Sequence, residues 1–129
     1  MTKTTLTLKG MEDYLEQVTA AGRDVDAAAQ AALQAGGEVL LAGMMRRAPE
    51  ATGNLKRHIV MDGPHQDGNY HYVVVGVVGA DAETARYGNA QEYGTKSMPA
   101  HSYIRTTMDG DKARARAAMR AALKEAGTI

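Results

Sequence analysis

Cysteine, tryptophan and phenylalanine are absent from this chain, and its 129 residues include only three prolines. The lack of cysteine excludes disulfides and zinc sites built on thiolates. Tyrosine is then the only large aromatic, so a core must be built from Ala, Val, Leu and eight methionines. That composition favours helices and a thin, adaptable packing. Also missing are any apolar run of the roughly 18 residues that a membrane-crossing helix needs and any charged-then-apolar leader. The expectation is a soluble intracellular domain.

An excess of charge is missing too. Fifteen Lys+Arg offset fifteen Asp+Glu, and the pI is about 6.9. Proteins that hold duplex DNA through its phosphates carry a clear basic surplus, so the bulk charge argues against nucleic acid as the main partner. What is present is a globular balance, 44% hydrophobic and 23% charged, which argues against wholesale disorder. The length suits one domain, 1–129, that buries roughly two thirds of its extended-chain surface.

The periodicities predict an α+β fold: a small antiparallel sheet, made of a β-hairpin and edge segments, packed against a long N-terminal helix and a C-terminal helix. "MTKTTLTLK" alternates around Leu6 and Leu8 and reads as a short edge strand or a flexible arm over 1–9. "GMEDYLEQV" sets Met11, Tyr14, Leu15 and Val18 at helical spacing. From a cap at Asp24 or Asp26 the longest helix runs to about Arg47, with Val25, Ala29, Leu33, Gly36, Leu40 and Met44 on one stripe. Gly36 on that stripe implies either close approach of another backbone or a kink. Pro49 stops the helix, because the residue before proline is pushed out of the α region.

Beyond Pro49, Thr52 offers a cap or turn, and Gly53 a backbone angle that other residues resist. "LKRHIVM" alternates into a strand with Leu55, Ile59 and Met61 as its buried side. "DGPHQDGN", 62–69, is expected to form a long, polar, mobile hairpin loop, and "YHYVVVGVVGA" is the strongest strand signal in the chain. "DAETAR" reads as a second surface loop. The Ala-rich C-terminal helix is expected to begin at Asp109 or Asp111 and to end at Gly127.

No catalytic, metal or cofactor site is expected. His58 and His71 fall in the two hairpin strands with His65 between them, but no carboxylate spacing accompanies them as a zinc or nickel site would require. His101 and Ser102 are adjacent, so in an extended segment they face opposite ways and cannot act as base and nucleophile. "GVVGADAET" lacks the Lys and the glycine spacing of a phosphate loop. Lys112, Arg116, Arg120 and Lys124 follow one another at i+4 steps along the last helix. This basic ridge reads as a solvated face, or as a contact for an acidic surface on a neighbouring subunit or for passing DNA. Bulk neutrality favours the subunit over a small nucleic-acid-binding domain.

One stretch is over-specified for a loop. "NAQEYGTKSMPAHSYIR", residues 89–105, concentrates two tyrosines, a Glu, an Arg, a Gly and a Pro in a span with neither helical nor strand periodicity. It reads as a scaffold loop: Tyr87, Tyr93 and Tyr103 pin it down, Gly94 supplies an unusual backbone angle and Pro99 fixes the exit. Glu92 and Arg105 are expected to brace it as a partly buried ion pair.

With "RRAPEATGNLKRHI" upstream, this loop resembles the tail-completion, or head-tail joining, proteins of long-tailed bacteriophages and prophages, including minor-tail-protein-Z-like members. The features that carry the resemblance are Ala48-Pro49, Thr52-Gly53 with Leu55, Glu92-Tyr93-Gly94-Thr95, Pro99-Ala100 and Tyr103-Ile104-Arg105, spread over residues 10 to 126. Tyr stands where Phe is common in such proteins, and Ser102 and Thr106 stand where prolines are usual. The resemblance implies a non-enzymatic virion part of the neck, made in the host cytoplasm, that binds no cofactor and no membrane. It would form a homo-oligomeric, hexameric ring around the DNA channel, next to packaged DNA. Its neighbours would be the tail tube or terminator on one side and head-completion or portal-side proteins on the other.

Overall fold

The computed structural model describes residues 3–49 and 53–127, so Thr52 lies outside the described residues. In chain order these form β1 (Lys3–Thr7), α1 (Glu12–Ala20), α2 (Val25–Arg47), α3 (Asn54–Arg57), β2 (Ile59–Asp67), β3 (Tyr70–Val77), α4 (Ala82–Tyr93) and α5 (Ile104–Ala126). The fold is α+β, a three-stranded antiparallel sheet with five helices.

Helix α2 is the hub. Its N-terminus is capped by Asp24, whose carboxylate accepts the Ala27 N–H at 3.2 Å. At the other end Ala48 turns extended, at φ −67° and ψ 141°, as the residue before Pro49 must. Ala29, Leu33, Gly36, Leu40 and Met44 are buried along its length. A methyl on Gly36 would lie 2.6 Å from Met119 Cγ and 2.8 Å from Leu6 Cδ2. The glycine therefore makes room for side chains of α5 and β1 rather than for another backbone. Gly37 faces Met61 and Val73 of the sheet, and Gly43 faces Asp111 and Thr107 of α5. Small residues thus let α2 be covered from two sides, by the sheet and by α5.

The sheet has the order β1-β3-β2. Leu6 stands opposite Val73, Met61 opposite Val75 and Ile59 opposite Val77, which puts one apolar face against α2. Residues 3–7 are therefore a paired edge strand, the first of the two expected alternatives, and residues 1 and 2 lie outside the described residues. The long loop expected at 62–69 does not exist either. A β-bulge between Asp62 and His65 absorbs Gly63 and Pro64, and pairing then continues to Asp67 opposite Tyr70. Only Gly68 and Asn69 form the turn. Pro64 cannot donate to a ladder, but on an edge strand and within a bulge it has no need to.

Three helix starts also differ from expectation. Residues 54–57 form the one-turn helix α3, and the strand begins only at Ile59; Leu55 is buried from that helix. "DAETAR" is the first turn and a half of α4, because Asp81 caps it by accepting the Thr84 N–H at 3.2 Å. Hydrogen bonding from the Thr84 side chain, and then from its N–H, holds the Asp81 carboxyl below its ordinary value. Helix α5 begins at Ile104, several residues before Asp109 and Asp111. Its cap is not local, as shown below.

Gly43→Ala is expected to lower stability by about 1–3 kcal/mol in urea unfolding, overpacking outweighing the about 1 kcal/mol of helix propensity gained. Gly110→Ala in α5 is the control. The added methyl there meets the flexible end of Arg47 at 3.3 Å, and stability should stay level or rise.

Candidate functional site: the joint between α4 and α5

Tyr103, the residue preceding α5, places no side-chain hydrogen bond on the helix end, and no acidic residue lies in the first turn. The unpaired N–H groups are satisfied from α4 instead. Glu92, in its last turn and only 4% exposed, accepts the Ile104 N–H at 2.8 Å on Oε1 and the Arg105 N–H at 3.1 Å on Oε2. The expected Glu92–Arg105 ion pair is therefore a correction. The carboxylate binds the backbone of Arg105, whose side chain is exposed. Burying a carboxylate costs several kcal/mol, and two charge-assisted hydrogen bonds at about 1.5–3 kcal/mol each, with the helix dipole, roughly offset it. The gain lies mainly in geometry: α4 and α5 can meet in one way.

The residues between them serve that joint. Gly94 turns the chain at φ +79°, and a methyl there would strike the Ala100 nitrogen at 2.8 Å. Thr95 and Met98 pair across a tight turn, with Thr95 N–H to Met98 O at 2.8 Å. His101 donates its backbone N–H to Gln91 O at 2.6 Å, and the Ser102 hydroxyl donates to Glu92 O at 2.6 Å. Tyr103 is wholly buried, and its hydroxyl donates to Gly88 O at 3.3 Å; burial pushes that hydroxyl well above its ordinary value.

The profile of the family described as "Bacteriophage HK97-gp10, putative tail-component" matches residues 9–94, from the turn before α1 to the glycine that ends α4. The chain belongs to this family of phage tail components. No curated protein and no solved structure matches it. As a tail component the protein is a structural part of the virion, and among the described residues no helix is long and apolar enough to cross a membrane.

In this tail component the joint is tied to α2 by a second polar cluster that sequence reasoning missed. Asp111 of α5 is buried and accepts Arg47 Nη1 at 2.8 Å and Arg46 Nη2 at 3.2 Å, with Arg114 at 3.4 Å from its other oxygen. Arg47 also reaches the Thr107 hydroxyl at 3.2 Å, and that hydroxyl donates to Tyr103 O at 2.6 Å. The hydrogen bond from Arg47, aided by the charges of the three arginines, holds the Asp111 carboxyl below its ordinary value. Arg46 and Arg47 also lie in the last turn of α2, where cations complement the helix dipole. A signal was present in Gly43, one turn before Arg47, where any larger residue collides with Asp111.

The remaining motif residues are distributed around this frame. Pro49 follows α2, Gly53 opens α3 at φ +77°, and Leu55 packs near Gly88, whose added methyl would lie 2.9 Å from Leu55 Cδ1. Pro99 and Ala100 are exposed in the α4–α5 connection, and Tyr93 is 60% exposed and has an interaction of its own. Tyr87 is partly buried against the core. The basic ridge is not uniformly open: Lys112 is exposed, but Arg116 donates to Lys9 O at 2.7 Å, and Arg120 is half-buried. Lys124 is exposed and has an interaction of its own. The three strand-region histidines do not converge. His58 meets Asn54 O, His65 meets Asp62, and His71 meets Asp26 at 3.1 Å, and no group of three or more potential metal ligands exists among the described residues. Between the joint and the start of β1 runs a groove of about 360 Å³, lined by Lys3, Tyr93, Ala100, Ile104, Arg105 and Met108 among others.

Glu92→Gln is expected to cost about 1–3 kcal/mol, because an amide NH2 then faces one of the two backbone donors. Arg105→Ala should change stability by less than about 0.5 kcal/mol. Equal losses in both variants, measured by denaturant unfolding, would restore the ion pair. Asp111→Asn should cost about 1–3 kcal/mol at neutral pH. Since the folded carboxyl lies below 3.8, the gap between wild type and variant should hold at higher pH. It should close as pH falls from there through the folded value.

Proposed function

We propose that this tail component completes the tail and joins it to the head, as a homo-oligomeric ring of the neck around the DNA channel. It is a non-enzymatic part of the kind called tail-completion or minor-tail-protein-Z-like. The observation that carries the reading is the use made of the motif residues. Glu92, the buried carboxylate of residues 89–105, gives each of its two oxygens to a backbone N–H group, so its evident task is to hold the joint. Gly94, Ser102 and Tyr103 serve the same joint. These residues hold a shape, and a rigid part with fixed flanks is what a ring subunit requires.

Head-to-tail contacts that close on themselves give rings, and a hexamer is the proposed count. The tail tube or terminator would lie on one side and head-completion or portal-side proteins on the other, with packaged DNA passing through the centre. The runner-up, a nucleic-acid-binding domain using Lys112, Arg116, Arg120 and Lys124, is weakened by the engagement of Arg116 with Lys9.

In a phage from which this protein is deleted, filled heads and tails should accumulate unjoined, and adding the purified protein should unite them, as counted by electron microscopy. His101→Ala should rescue as well as wild type. Normal joining without the protein, or a salt-sensitive grip on DNA with no ring on tails, would overturn the reading.

A further inference from the structure

A ring built head to tail needs two different surfaces on one chain, and the sheet carries two complementary ones at its opposite ends. The first is the groove of about 360 Å³ beside β1, with apolar walls from Ile104, Met108 and the exposed Tyr93. Its rim carries Lys3 and Arg105, both exposed and without an ion pair among the described residues. Glu92 on its floor adds no free carboxylate oxygen, since both accept backbone N–H groups. The second surface is the tip of the β2–β3 hairpin, where residues 66–70 are all exposed. There Tyr70, 52% exposed, stacks on Tyr72 with ring centroids 5.2 Å apart. Asp67 sits opposite Tyr70 and has no ion pair among the described residues.

Lys3 pairs with Gly76 on β3, whereas the tip begins at Tyr70 on the same strand. Six residues of strand separate the two surfaces by about 20 Å. An aromatic that is apolar in body and polar at its end suits a groove with apolar walls and a wet rim. A carboxylate at the tip matches two cations at the rim. Donor and acceptor lie at opposite ends, and in a ring they are used in a heterologous contact. Each copy gives its tip to one neighbour and its groove to the other.

We propose that the hairpin tip, with Tyr70 and Asp67, docks in the groove beside β1 of a second copy, Tyr70 against Tyr93 and Ile104, Asp67 against Lys3 and Arg105. This rests on the ring reading above and specifies its contact. The β2 edge is interrupted by the bulge at Gly63-Pro64, a feature that discourages strand-to-strand joining there and leaves the tip as the projecting element.

The absence of cysteine makes the contact directly readable. Asn69→Cys/Ala100→Cys protein, treated with a short bifunctional maleimide alone and with purified tails, should give a ladder of covalent multimers. An equimolar mixture of the two single variants should give only the mixed dimer. Arg105→Glu and Asp67→Arg should each weaken self-association about tenfold by sedimentation, and the double swap should restore it. Rings that assemble yet neither cross-link at these positions nor respond to the swaps would overturn this contact and leave the ring reading standing. Protein that stays monomeric at every concentration and on tails would overturn both.

Discussion

One carboxylate decides how the last helix joins the rest. Without Glu92 the first turn of α5 has no capping side chain and no acidic residue of its own, and its N–H groups would be left unpaired beside the end of α4. The carboxylate satisfies two of them at once. Its burial cost and its bonds nearly balance, so what it confers is a single geometry rather than a large stabilisation. The Gly94 turn, the Ser102 bond to Glu92 O and the buried Tyr103 all presuppose that geometry.

The same frame extends to α2 through Asp111. With Arg46 and Arg47 at the end of α2 and Thr107 one turn before it on α5, charge and hydrogen bonding fix the end of a helix pair whose middle is fixed by shape at Gly36 and Met119. A chain with few aromatics cannot rely on large interlocking rings to define a core. Close helix packing over glycine and alanine, closed at one end by a buried polar cluster, supplies the definition instead.

A frame of this kind leaves its exposed polar and aromatic groups at the periphery: the hairpin tip, the groove beside β1 and the partly engaged ridge of α5. These are the surfaces that the proposed ring contact uses or leaves open. Among the motif residues, Leu55, Glu92 and Tyr103 are buried in the frame, whereas Tyr93, Pro99, Ala100 and Arg105 are exposed. That division explains why the motif stretch looks over-specified: Glu92, Ser102 and Tyr103 are engaged in holding the joint.

Local signals sufficed for much of the fold. The α2 stripe from Val25 to Met44, its stop before Pro49, the β-branched run of β3 and the end of α5 at Gly127 all depend on near neighbours in sequence, and each was legible there. Residues 62–69 misled because a bulge around Gly63-Pro64 lets pairing resume, and only the partner strand reveals that. The start of α5 and the role of Glu92 were out of reach for a related reason. Their bond joins positions twelve and thirteen residues apart across a turn, and a cap that comes from another helix leaves no trace beside the helix it caps. Composition, periodicity and punctuation determined the elements by themselves. Which carboxylate met which donor was decided only when tertiary packing brought distant backbone groups out of water and required each of them to find a partner.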